Sequence, residues 1–208
     1  MKLYTKAQNS AGERVRIALN LKALDYEYVG IGGLPRGEYA RINPQGLMPA
    51  LEIDGAIITQ SAAILDFLEN RFPERPILPS DPVLRAQSLA FGAIVASEMH
   101  ALTVNRVRKR LTTLGVSEEG VVEWVLHWQG LGLASLEALL ARRETAFPFC
   151  YGEAPGWADL HLVPQMAAAR RLSVPLAAYS LLLEVEARCA DLPAFAAARP
   201  EAQPDYSP

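Results

Sequence analysis

Pro49 stands at the mouth of an apolar run, Leu47-Met48-Pro49-Ala50-Leu51, and it restricts how the following strand can pair. Proline has no N–H to donate to a sheet ladder, so it suits a strand's first residue or an edge. X–Pro bonds are also the main home of cis peptides, which sit in tight turns. A turn here leaves the backbone N–H and C=O of Met48 outside the ladder, where an extended peptide can pair with them. A short strand and the turn Asp54-Gly55 follow. Gln60-Ser61 then precede Ala62, Ala63, Ile64, Leu65, Phe67 and Leu68, whose spacing is helical. The first turn of a helix offers N–H donors and a partial positive charge to a carboxylate. A peptide-docking edge beside a carboxylate anchor suits a small anionic peptide.

The 208 residues fit one or two domains and can bury a substantial core. Half are hydrophobic and the formal net charge is −3, which describes an ordinary globular protein. Basic residues are scattered, with no Lys/Arg block interleaved with aromatics, so nucleic acid is not an expected partner. No apolar run is long enough to span a bilayer. Met1-Lys2-Leu3-Tyr4 leads straight into a strand-like segment with no secretory apolar region, and a cytoplasmic location is the default. Cys150 and Cys189 belong to no CxxC or metal-spaced set, so both read as buried and inert and no metal is expected.

From Met1 to about Leu78 strand and helix signals alternate. Lys2–Thr5 reads as a strand and Gln8–Gly12 as a polar turn, while Arg14–Lys22 carries a broad apolar helical face. Tyr26–Ile31 reads as a second strand, and Gly32–Gly37 as a loop. Phe72–Pro82, with Pro73, Pro76, Pro79 and Pro82, makes a stiff extended connector. Beyond it, Leu84–Leu111 reads as one long helical pattern and Val121–Arg143 as another, with Trp124 and Trp128 one turn apart. Asp159–Arg171 and Leu181–Ala190 supply two more. The expected architecture is an α/β domain over residues 1–78 and an all-helical domain over residues 79–208.

The order of strand, X-Pro turn, strand, Asp-Gly turn and Gln-Ser-x-Ala-Ile on a helix resembles the thioredoxin-like, glutathione-binding half of the glutathione transferases. The helical second half extends the resemblance nearly end to end. Arg14-Val15-Arg16-Ile17-Ala18-Leu19, Trp157-Ala158-Asp159-Leu160 and the tail Gln203-Pro204-Asp205 are similar to the zeta class. Where that class has a Ser/Thr helix cap three residues before the aspartate, this chain has Gly156, and Asp159 itself suits structural capping of the first turn. The resemblance implies glutathione as cofactor and a homodimer. It implies that the backbone of Met48, at its bond to Pro49, pairs with the cysteinyl part of glutathione, and that Gln60 and Ser61 hold its γ-glutamyl carboxylate.

Glutathione must be bound as thiolate to act as a nucleophile, and a helix N-terminus with hydrogen-bond donors lowers a thiol's pKa. Asn9–Glu13, between the first strand and first helix, supplies such an end. In the zeta class this turn reads Ser-Ser-Cys-Ser; here it reads Asn9-Ser10-Ala11-Gly12. Ser10 keeps a hydroxyl and Asn9 an amide donor. Either can meet the sulfur, with Ser10 the leading choice and Asn9 assisting. Both are also common turn formers.

The zeta class implies cis–trans isomerisation of maleylacetoacetate or maleylpyruvate, in which the thiolate adds to a conjugated double bond, rotation follows, and elimination regenerates the thiol. The anionic substrate requires a cation nearby. Arg171 lies where the class has its substrate-carboxylate arginine, and a guanidinium grips a carboxylate in bidentate fashion. A solvated or dimer-facing role is its alternative. His100 matches a position that reaches glutathione from the helical domain, with a structural histidine as its alternative. Gln8 replaces a class arginine, which weakens the case for a dicarboxylate. Arg106, Arg108, Lys109 and Arg110 read as a solvated face. The rival functions are a transferase conjugating other electrophiles, and a glutathione-binding module without turnover.

Overall fold

The computed structural model describes residues 1–207. The chain divides into two compact units. One comprises Met1–Leu78 with the segment from Ala190 onward, the other Pro79–Cys189.

The first unit begins with β1 (Lys2–Thr5), α1 (Ser10–Leu21) and β2 (Glu27–Gly30). It continues through α2 (Glu38–Ile42), β3 (Ala50–Ile53), β4 (Ala56–Thr59) and α3 (Ser61–Arg71). The four strands form one sheet in the order β2-β1-β3-β4. β1 runs parallel to β2 and antiparallel to β3, and β3 pairs antiparallel with β4. The hairpin turn uses Asp54 and Gly55, both at positive φ (51° and 80°), as a tight two-residue connection requires. Leu3, Ile17, Leu19, Leu51, Ile64, Leu65 and Leu68 are fully buried, so the apolar face read along α1 is its core face. Helix α2 was not legible in the sequence, because five residues after Gly37 (φ 83°) are too few to show a period. It nevertheless shapes the approach to Pro49: Tyr39 Oη and Asn43 Nδ2 both donate to the Leu47 carbonyl, at 2.7 and 2.6 Å.

The proline-rich connector is held by a buried ion pair. Lys22 Nζ lies 2.8 Å from Glu69 Oε2 and also donates to the carbonyls of Phe72 and Arg75. Glu69 in turn accepts from the N–H groups of Ile77 and Leu78. Both charges are thereby paired and hydrogen-bonded, which burial demands.

The second unit opens with α4 (Pro82–Ala93), capped by Asp81, whose carboxylate accepts from Val83 and Leu84 N–H. The single long helix expected over Leu84–Leu111 is instead interrupted. After α4 come a π-helical stretch, Ile94–His100, the short α5 (Ala101–Thr103), and α6 (Asn105–Thr113). Val104 between the last two is extended (φ −63°, ψ 155°). The reason lies across the interface with α7 (Glu118–Ala141) and α8 (Trp157–Arg171). Gln165 donates to Gln129 (2.7 Å), Gln129 to the Thr103 hydroxyl (2.7 Å), and that hydroxyl to the Met99 carbonyl (2.8 Å). At Gly132 the Met99 side chain packs so close that an added Cβ would lie 2.2 Å from its Cγ. Periodicity along one helix carries no trace of such partners. Trp124 and Trp128 meet edge to face with centroids 5.6 Å apart, as their spacing predicts.

The first turn of α8 carries Asp159, whose buried carboxylate accepts from Gly156 N–H (2.8 Å) and Cys150 N–H (2.9 Å), pinning the preceding loop. Burial pushes its carboxyl above the usual range while those hydrogen bonds oppose the rise. Helix α9 (Ser180–Ala190) completes this unit. The segment after it, with α10 (Pro193–Ala196), returns to the first unit, where Asn20 Nδ2 donates to the Ala194 carbonyl. The domain expected over 79–208 therefore differs from the compact unit at its C-terminal end, because nothing local in the tail states which body it packs on.

Lys22→Met is expected to strand the Glu69 carboxylate and cost about 3–5 kcal/mol of stability. Urea unfolding of the variant checks this, and an unchanged midpoint would show that the pair is dispensable.

Candidate functional site

Sheet register places three strand termini at one end of the sheet. β1 ends at Thr5 just before α1, β3 begins at Ala50 opposite Tyr4, and β4 ends at Thr59 opposite Ala50. The Asn9-Ser10 turn, the Met48-Pro49 bond and Gln60-Ser61 therefore all follow or precede strands at the same end of the sheet.

Asn9 is the N-cap of α1, with extended φ −140° and ψ 102°. Its side-chain oxygen accepts from Gly12 N–H at 2.6 Å, satisfying one of the helix's unpaired donors. Because that partner is a donor, the acceptor oxygen faces inward, and the amide NH₂ is what Asn9 has left to offer a ligand. Ser10 is the first helical residue and is 6% exposed. Gly12 sits at a close approach, since an added Cβ would lie 2.0 Å from Thr5 Oγ1 and 2.7 Å from Asn9 Oδ1, so in this chain a larger residue requires those side chains to shift. Helix, cap and hydroxyl together form a site that favours an anion such as a thiolate.

The Met48–Pro49 peptide bond is cis. Met48 lies two residues before Ala50, the first residue of β3 in the ladder, as the opening apolar run implies.

Gln60 has φ 69° and ψ 122°, a conformation few residues other than glycine adopt. Backbone strain of this kind gathers where a ligand site needs it. Its side-chain amide donates to Gln45 Oε1 at 2.6 Å, a partner the sequence did not suggest. Ser61 begins α3 and is buried, and Arg14 Nη1 lies 3.4 Å from its hydroxyl oxygen. Arg14 is 1% exposed, and its Nε and Nη2 have no hydrogen-bond partner among the described residues. Burial lowers this guanidinium to about 10, with Glu13 opposing the drop. A buried cation with spare donors beside Ser61 adds to the positive end of α3, so negative charge is favoured there. Arg14 entered the sequence reading only as a family marker. Its one local signal is a charge set directly beside Val15 in an apolar helix.

His100 and Arg171 belong to the second unit. His100 closes the π-helical stretch and is partly buried. Single-turn π segments are frequent at functional sites. Arg171 ends α8 and is exposed, with no ion-pair partner among the described residues. Its neighbour Arg170 is instead held by both oxygens of Glu186. The structure therefore distinguishes two arginines that the sequence presents as equals. Of the basic run on α6, Arg106, Lys109 and Arg110 are exposed, while Arg108 is partly buried. Cys150 and Cys189 are fully buried, and burial pushes both thiols up, which makes them poor nucleophiles.

A four-stranded α/β unit followed by a helical unit is the arrangement of a glutathione transferase. The model of the glutathione S-transferase N-terminal domain family matches residues 3–76. Maleylacetoacetate isomerase of Pseudomonas aeruginosa is 41% identical over 99% of this chain and 98% of its own. The holo structure of a maleylpyruvate isomerase, described as a bacterial glutathione S-transferase of the zeta class, has a TM-score of 0.93 at 38% identity over 100% of both chains. A maleylacetoacetate isomerase from Methylobacterium extorquens AM1, with malonate and glutathione bound, gives 0.93 at 36% identity, again over 100% of both. The chain belongs to the glutathione transferase superfamily, in its zeta class.

Gly12→Ala is expected to force the Thr5–Asn9 contact apart, costing about 1–3 kcal/mol as overpacking does. Thermal unfolding, followed with and without glutathione, measures it; retention of both stability and glutathione affinity would contradict the close-approach argument.

Proposed function

We propose that this chain is a glutathione-dependent cis–trans isomerase of a maleyl-keto acid, maleylacetoacetate or maleylpyruvate. The observation that carries the reading is the gathering of an anion-favouring helix start, the Met48-Pro49 entry to β3 and a strained Gln60-Ser61 helix start at one end of the sheet. The names of the close relatives support the substrate class, and so do the glutathione and malonate held by the Methylobacterium protein. Bound glutathione supplies a thiol that adds reversibly to the conjugated double bond and leaves unchanged after rotation.

This chain's residues have separate tasks in that reading. Ser10, with Asn9 assisting, donates toward the sulfur, and the α1 N-terminus favours its ionised form. The Met48 backbone pairs with the cysteinyl part of the peptide. Gln60 and Ser61, with the α3 N-terminus and Arg14 behind them, hold the γ-glutamyl carboxylate. His100 is a further glutathione ligand, and Arg171, which lacks an internal ion-pair partner, takes a substrate carboxylate. A homodimer, a cytoplasmic location, and no nucleic-acid or membrane partner complete the reading. No helix among the described residues is long and apolar enough to cross a membrane.

One observation favours a second reading, conjugation of another electrophile: Gln8, Asn9 and Ala11 stand where the class has Arg, Ser and Cys. Turnover of both maleyl-keto acids, followed optically with and without glutathione, separates the two. Conversion to the fumaryl isomer without loss of glutathione establishes the isomerase. Stoichiometric consumption establishes the transferase, and binding without either leaves a non-catalytic module.

Ser10→Ala is expected to lower kcat by about 10²-fold, the scale of losing one preorganised donor, with little change in glutathione affinity. Arg171→Ala is expected to raise the KM for the keto acid by about tenfold or more while leaving kcat nearly intact, as removal of a charged hydrogen bond does. Parallel steady-state kinetics check both, and unchanged constants in either variant remove that residue from the site.

A further inference from the structure

The tail motif Gln203-Pro204-Asp205 has no part in the chemistry above, yet it lies against the turn that begins α1. Asp205 Oδ1 accepts from the N–H of Ala7 at 3.1 Å and from the hydroxyl of Tyr28. The carboxylate rests on Gly30 at the end of β2, where an added Cβ would come within 3.1 Å of Oδ2. Gln8 Nε2 reaches the Ser207 carbonyl at 3.5 Å. Ala7 is also held from its other side: its carbonyl accepts from Arg16 Nη2 and from Asn9 N–H, at 3.1 and 3.0 Å. Both peptide groups of Ala7 are therefore tied, one to the tail and one to a buried guanidinium. The next-but-one residue is Asn9, the α1 cap, followed by Ser10.

We propose that Asp205 is a positioning residue for the glutathione thiol: through Ala7 it sets where Asn9 and Ser10 place their donors. This rests on the reading that those two residues meet the sulfur. The physical reason is leverage over a short span. The turn from Lys6 to Asn9 has no strand pairing of its own, since β1 ends at Thr5. Its geometry is set by the bonds to Asp205 and Arg16, and a donor misplaced by about 1 Å forfeits much of its effect. Without the carboxylate, the Ala7 N–H has no acceptor and the turn relaxes on that side. Tyr28 and Gly30 hold the carboxylate itself, one by a hydrogen bond and the other by leaving room.

The test titrates bound glutathione by the ultraviolet absorbance of its thiolate, at saturating occupancy, with calorimetric affinity and thermal midpoint measured alongside. Asp205→Ala is expected to raise the thiolate midpoint by about one pH unit, roughly a tenfold loss of thiolate at fixed pH below the midpoint, with glutathione affinity little changed. Asp205→Asn, which keeps an acceptor oxygen, should recover part of that shift, and Tyr28→Phe should produce a smaller one. Asn20→Ala cuts a different tie of the C-terminal segment, to Ala194. It should lower the thermal midpoint without moving the thiolate, which separates positioning from mere stability. If Ser10→Ala or Asn9→Ala moves the thiolate and neither Asp205→Ala nor Tyr28→Phe does, the positioning role is wrong and the site reading stands. If Asn20→Ala shifts the thiolate as far as Asp205→Ala, the role is only structural and the proposal falls. If none of the variants moves it, the thiol site itself has been misassigned.

Discussion

Arg16 is fully buried, and its guanidinium donates to three backbone carbonyls: those of Lys6, Ala7 and Ala198. Taking such a charge out of water is costly, and desolvation lowers its affinity for the proton. The planar fork offsets this by matching several acceptors at once, which an ammonium on a flexible stem does less well. Two of those carbonyls belong to the turn between β1 and α1, and the third to the C-terminal segment. A single side chain thus joins the sheet's central strand, the first helix and the tail. The Asn9 cap, the Gly12 contact and the Asp205 tie are all assembled around that junction.

The proposed ligand site is built from features that are unfavourable in isolation. Gln60 holds a left-handed backbone, and Arg14 is buried with two donors unsatisfied among the described residues. An anion at the start of α3 would offset the first cost through hydrogen bonds from backbone N–H groups and reduce the second through charge. The electrostatics favour the same sign at both helix starts. Among the described residues, no group of His, Cys, Asp and Glu side chains is arranged to hold a metal ion.

In the helical unit the deciding interaction is the polar chain from Gln165 through Gln129 and Thr103 to the Met99 carbonyl. Its members are almost wholly buried, so their mutual pairing is obligatory and specifies one arrangement of α5, α7 and α8. That arrangement holds the π-helical stretch, which ends at His100, against Gly132. The expected unbroken helix over Leu84–Leu111 failed here because an apolar period reports which face is buried, not where Gln129 from another helix fixes the Thr103 hydroxyl on the Met99 carbonyl.

What the sequence determined by itself is local. The strand starting after Met48-Pro49, the Asp54-Gly55 hairpin, the polar turn before α1 and the helix after Gln60-Ser61 each depend on residues a few positions apart. Proline's missing donor, glycine's freedom at positive φ and helical spacing act over that range. Only the tertiary structure decided that Arg14 backs Ser61 from 47 residues away, that Arg16 reaches Ala198 across 182, and that Asp205 meets Ala7 across 198. It also decided that Glu186 occupies Arg170 and not Arg171. Such pairings are invisible to spacing because buried charges and stray carbonyls choose partners by position in space, and folding alone brings them within reach.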